Sequence, residues 1–158
     1  MIKKKLFNRK VKAPSALKPL AKSFIKRLKP GSVVLLKGEL GAGKTTFVKA
    51  ICNELSIDPN EVKSPSYTLI NEYENLSLSE NCEIKTIYHI DLYRLPDSSE
   101  LDGLGLSDYI ENDNSSSIVL IEWADCALEY LYRTSKFLYL VDIAIEESSR
   151  NFLIYSLT

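Results

Sequence analysis

The segment Gly38-Glu39-Leu40-Gly41-Ala42-Gly43-Lys44-Thr45 constrains this chain more than any other. It satisfies G-x-x-x-x-G-K-[ST] at every fixed position. It follows the apolar run SVVLLK (32–37) and precedes a segment in which Phe47, Val48, Ile51 and Leu55 share one helical face. A buried strand, a glycine-rich turn and an amphipathic helix in that order define a phosphate cradle. Glycines let the backbone turn sharply and bring its N–H groups close to an anion, and the helix N-terminus adds partial positive charge. In such a cradle Glu39, Leu40, Gly41, Ala42 and Gly43 supply the loop around a nucleotide. Lys44 spans the β- and γ-phosphates, the Thr45 hydroxyl ligates Mg²⁺, and Thr46 donates to the α-phosphate.

The rest of the chain reads as α/β. Leu17, Leu20, Ala21, Phe24, Ile25 and Leu28 recur at helical spacing, with Pro19 tolerable in the first turn and KPG (29–31) ending the helix. SYTLINEY (66–73) and KTIYHIDLY (85–93) alternate like strands, an antiparallel pair joined by a polar loop. SSELDGLGLSDYIEND holds helical fragments broken by Gly103 and Gly105. SIVLIEW (117–123) is a near-continuous apolar strand of the kind covered on both faces. FLYLVDIAI and RNFLIYSL are two more strands joined by EESS. The expected architecture is one P-loop NTPase domain over residues 1–158, a mixed sheet with a parallel core and antiparallel strands flanked by helices. Residues 1–12, basic and irregular, are expected as a flexible or edge-strand tail.

Two acids are candidates to complete the site. Glu122 ends the strand IVLIE, and in open α/β sheets ligands gather at the C-terminal ends of strands. It either faces Mg²⁺, orients the attacking water, or points into solvent. In YHIDLYRL, Asp91 shares a face with His89 and Tyr93, opposite Tyr88, Ile90 and Leu92. A carboxylate in such apolar company needs a cation, either Mg²⁺ or a partner such as Arg94. Trp123 is core, lid or partner contact. His89 is a catalytic base or a packed, hydrogen-bonded side chain.

Composition limits the alternatives. The 158 residues carry a net charge of −1, so no global field draws the chain to nucleic acid, and RNA contact is local or made through a partner. Three cysteines without metal spacing suggest free thiols in a reducing, cytoplasmic compartment. No apolar run is long enough to span a membrane. The arginines, at 9, 27, 94, 133 and 150, never cluster as the lid of a small-molecule P-loop kinase would require, which leaves that kinase as the alternative enzyme. A non-hydrolysing nucleotide switch gating complex assembly is the alternative outside catalysis. No N-K-x-D segment is present to read guanine.

GELGAGKTTF, SPSYTLINEY, YHIDLYRL, ELDGLGLSDYI and VLIEWAD stand in the order and spacing of one bacterial family. From about residue 14 to the end, the chain resembles the TsaE family, P-loop ATPases of tRNA N6-threonylcarbamoyladenosine biosynthesis. The resemblance implies ATP and Mg²⁺ as cofactors and the TsaB–TsaD heterodimer as partner, with tRNA met indirectly through that complex. It further implies Thr45 and Glu122 as Mg²⁺ ligands, and Lys44, Asp91 and Glu122 as the residues of hydrolysis. Trp123 falls beside the nucleotide or the partner, and Arg150 matches a late basic residue near the nucleotide. The chain departs from the family at Ser66 in SPSYT, where threonine is usual: the hydroxyl is kept and the methyl lost.

Overall fold

Seven strands hydrogen-bond into one sheet in the computed structural model, which describes residues 1–75, 83–94, 103, 105–110 and 116–157. The strands are β1 (Lys3–Val11), β2 (Ser32–Lys37), β3 (Ile70–Glu74), β4 (Thr86–Asp91), β5 (Ser117–Glu122), β6 (Phe137–Glu146) and β7 (Ser149–Leu157). The helices among the described residues are α1 (Leu17–Ile25), α2 (Lys44–Glu54), α3 (Leu106–Ile110) and α4 (Leu128–Thr134). The strand order is β1-β7-β6-β2-β5-β4-β3. β2 runs parallel to both β6 and β5, and β5 parallel to β4. The outer pairs β1–β7, β6–β7 and β3–β4 are antiparallel. The sheet is therefore mixed, with a parallel centre.

Period-two side-chain alternation sorts the central strands onto two cores. Val34 and Leu36 of β2, with Ile118 and Leu120 of β5, pack beneath α1 and α2. Val33 and Leu35, with Val119 and Ile121, pack on the other side against Leu106 of α3 and Ala127 and Leu131 near and on α4. Strands buried on both faces cannot alternate apolar with polar, which explains the continuous runs SVVLL and IVLI. Under α1 and α2 a line of rings ties the layers together. Phe24 meets Phe7, Phe47 and Tyr139 at 6.4, 6.1 and 5.7 Å between centroids, and Phe47 meets Phe152 at 5.3 Å. Each buried phenylalanine contributes about 1.5–3 kcal/mol by transfer from water.

Several boundaries differ from the sequence expectation. α1 stops at Ile25; Arg27 and Leu28 continue as tighter i→i−3 turns, so Leu28 is still buried. Pro19 stands third in α1, where its absent N–H has no intrahelical acceptor to lose. Strand pairing in the SYTLINEY stretch starts only at Ile70. Before it the chain turns, with the Leu69 N–H bonded to the Pro65 carbonyl and Leu69 at φ +65°. α4 and the 3-10 turn before it (Ala124–Ala127) were not expected. Residues 3–11 of the basic N-terminal stretch form β1, an edge strand with an irregularity between Lys5 and Phe7. Most of the polar loop after β3 and most of the segment around Gly103 lie outside the described residues.

Candidate functional site

β2 delivers the chain to the glycine loop, and α2 leads away from it. Gly43 caps α2 at φ +104°, a left-handed conformation in which an L side chain is strained. At Gly38, φ +153°, a Cβ would stand 2.7 Å from the Ile143 carbonyl oxygen and 2.9 Å from Ala42 Cβ, so β6 presses directly on the loop. The first N–H groups of α2 have no intrahelical acceptor and converge on the space above the loop.

Parallel register does the rest of the assembly. Leu36, at the end of β2, pairs with Glu122, and Glu122 pairs with Asp91. The two acids thus stand side by side at the C-terminal ends of β5 and β4, next to the glycine loop, and both are buried. The Thr45 hydroxyl donates to Glu122 Oε1 at 2.8 Å, joining the first turn of α2 to β5. His89 Nε2 lies 2.8 Å from the same oxygen, and His89 is fully buried. Its Nδ1 has no partner in the protein, which places the ring proton on Nε2, where it donates to the carboxylate.

Asp91 is held differently. Its Oδ2 accepts from the Ser64 and Ser66 hydroxyls at 3.1 Å each, and its Oδ1 accepts from the Tyr93 N–H at 2.9 Å. The hydroxyl kept at Ser66 therefore ties the 64–68 segment to the acid. Arg94, the cation expected as an alternative partner for Asp91, instead lies over the Tyr67 ring, 4.7 Å from its centroid.

Lys44 is buried and donates to the carbonyls of Gly38 at 2.7 Å and Glu39 at 3.0 Å, with its ammonium 3.8 Å from the centre of the Trp123 ring. Burial lowers its pKa, opposed in part by the charges of Glu122, Asp91 and Asp125. Tyr93 packs on Trp123 at 4.9 Å. These groups line a cavity of about 500 Å³ that takes in Thr45, Thr46, Ser64, Ser66, Asp91, Arg94 and Glu122.

A second cavity, of about 240 Å³, opens on the other side of the loop. Gly41, Ala42, Gly43 and Thr46 form one wall, and Lys12, Pro14, Arg150 and Phe152 are among the residues facing it. Arg150 thus lines this cavity and not the one that holds the two acids, whereas Leu40, 79% exposed, lines the larger cavity. Sequence reasoning missed Lys12 and the contact of His89 with Glu122. Nothing local signals either, because both depend on strands far apart in the chain.

An α/β sheet with a parallel centre, a glycine loop between its central strand and a helix, and acids on the adjacent strand ends define a P-loop nucleotide-binding fold. The family model for threonylcarbamoyl adenosine biosynthesis protein TsaE matches residues 11–152. The chain belongs to the TsaE family.

Its relatives include the Bacillus subtilis tRNA threonylcarbamoyladenosine biosynthesis protein TsaE, 40% identical over 118 residues, 75% of this chain and 66% of that protein. The Haemophilus influenzae protein of the same name is 46% identical over 93 residues, 59% of this chain and 52% of that one. The match therefore spans about half to two-thirds of those relatives. The crystal structure of Bacillus subtilis YdiB superposes with a TM-score of 0.71 at 28% identity, over 100% of this chain and 89% of that one. Among the described residues no helix is long and apolar enough to cross a membrane.

Proposed function

We propose that this protein is a Mg²⁺-dependent ATPase that acts on a TsaB–TsaD complex during formation of N6-threonylcarbamoyladenosine in tRNA. The observation that carries this reading is the Thr45–Glu122 contact at 2.8 Å with Asp91 as lateral neighbour of Glu122. Glu122 alone would serve a cradle that only binds Mg²⁺ and nucleotide; a second buried carboxylate, Asp91, beside it supports hydrolysis.

No three His, Cys, Asp or Glu side chains come together as a metal site among the described residues. Mg²⁺ takes one or two protein oxygens completed by phosphate oxygens and water, and Thr45 and Glu122 offer two such oxygens at one point. Thr45 and Glu122 would hold it, and it would supply charge neutralisation for the phosphates. Glu39 to Thr46 wrap the phosphates, and Lys44 leaves its two carbonyls for the β- and γ-oxygens. Asp91, oriented by Ser64, Ser66 and the Tyr93 N–H, positions the water that attacks the γ-phosphorus as its bond to the β-phosphate oxygen breaks. His89 acts through Glu122, fixing the carboxylate. The smaller cavity, with Lys12 and Arg150, takes the nucleoside. The TsaB–TsaD surface adjoins the exposed rim of the larger cavity, and tRNA is met through that assembly in the cytoplasm.

Lys44→Ala is expected to abolish tight ATP binding. Glu122→Ala is expected to keep binding while turnover falls about a hundredfold or more, as when several kcal/mol of transition-state charge stabilisation is removed. Equilibrium binding and steady-state hydrolysis, each with and without TsaB and TsaD, separate the two effects. Wild-type turnover by Glu122→Ala, or no hydrolysis in any mixture of the three proteins, overturns the assignment.

A further inference from the structure

Residues 1–38 hold 12 of the 20 lysines and arginines and none of the 21 acids. A net charge near zero thus conceals a strongly asymmetric distribution along the chain, and the fold gathers part of the excess where β1 meets α1. β1 ends the strand order, with β7 as its neighbour. α1 lies along it, with Phe7 meeting Phe24 edge-on. Between them runs a groove of about 210 Å³ walled by Phe7, Arg9, Lys10, Ala16, Pro19 and Ser23. Lys4 and Arg9 of the strand are exposed on the α1 side, as are Lys18 and Lys22 on the helix and Lys26 just past its end. Lys3 and Lys5, paired with Leu157 and Tyr155, belong to the opposite side of the sheet.

The helix lysines recur every four residues and so stack along one side of α1, where like charges repel. Among the described residues, Lys10 is the one cation of residues 1–29 in an ion pair, to Glu146 at 2.6 Å. The repulsion is therefore left standing in the free protein, and a polyanion would relieve it. We propose that the β1–α1 face docks the phosphate backbone of an RNA.

Lysine dominates this face and aromatic side chains are not exposed on it, a composition suited to phosphate contact and not to base readout. A membrane-binding helix would instead expose apolar residues, whereas Leu17, Leu20 and Phe24 of α1 are buried in the core. The choice of RNA rests on membership of a tRNA-modification family and not on ATP hydrolysis. It gives the chain a phosphate contact of its own beside the indirect one proposed above.

The test is fluorescence anisotropy of labelled unmodified tRNA with the full chain, between about 50 and 200 mM salt. It compares wild type with Lys4→Gln/Arg9→Gln/Lys22→Gln/Lys26→Gln, and with Lys4→Gln/Lys22→Gln should the fourfold variant fail to fold. The expected result is an affinity loss of about tenfold or more at the lowest salt, with the salt slope reduced by roughly one per contacting cation removed. An RNA of shuffled sequence should bind equally, while ATP binding and thermal unfolding stay at wild-type values. Unchanged affinity and slope in the variants overturn the proposal. So does wild-type binding to phosphatidylglycerol vesicles or polyglutamate as tight as to tRNA, which would assign the face to another anion.

Discussion

Trp123 adopts φ +59°, a left-handed conformation that costs an L residue roughly 1–2 kcal/mol, and it follows directly on Glu122. The turn swings the indole over Lys44 while the chain enters the 3-10 turn towards α4. Strain at this point is tolerated because the neighbours over-determine it: Glu122 is fixed by Thr45 and His89, and Tyr93 packs on the ring. Trp123→Gly should therefore be more stable than Trp123→Ala by about 1 kcal/mol in urea unfolding, since glycine relieves the backbone while both variants lose the ring. Equal stability of the two would show that the turn carries no strain. Trp123 is the one tryptophan in the sequence. Its emission should change on ATP titration as Lys44 leaves the ring, and should not respond in Lys44→Ala.

At the level of elements, the glycine loop, its flanking β2 and α2, and the strand ending in Glu122 were legible because each is encoded by contiguous residues. The face-sharing of His89 and Asp91 was legible from alternation. The neighbouring of Asp91 and Glu122 was not, because it depends on the parallel register of strands about thirty residues apart. α4 escaped notice because its tyrosines blur the apolar stripe: Tyr130 and Tyr132 pack on the core edge, while Leu131 alone is fully buried on the helix. Within α2, burial pushes the Cys52 thiol up to about 12 from 9.0. Below pH 9 both folded and unfolded chains keep that proton. As pH climbs from 9 towards 12 the unfolded thiol ionises first, so stability falls. Tyr73, Tyr88 and Tyr139, also raised by burial, act with the same sign. Cys52→Ala should make the alkaline decline in unfolding free energy shallower without removing it, as denaturant titrations at pH 8, 9 and 10 would measure.

For the whole molecule, the strand order has a consequence for how the protein is made. β1 precedes every other strand in synthesis, yet its neighbour in the sheet is β7, the last; Lys3 lies across from Leu157. Closing so long a loop costs entropy that only the finished sheet returns, so the parallel centre has to form first. During synthesis this positively charged strand is made well before the strand it pairs with in the sheet. In the finished protein the same strand should be the first to unzip. Native-state hydrogen exchange should find the β1 amides opening at lower free energy than those of β2 and β5, and equal protection across the sheet would refute that order. One corner of the sheet thus depends on all the rest, since β1 can pair only after β7 has been made.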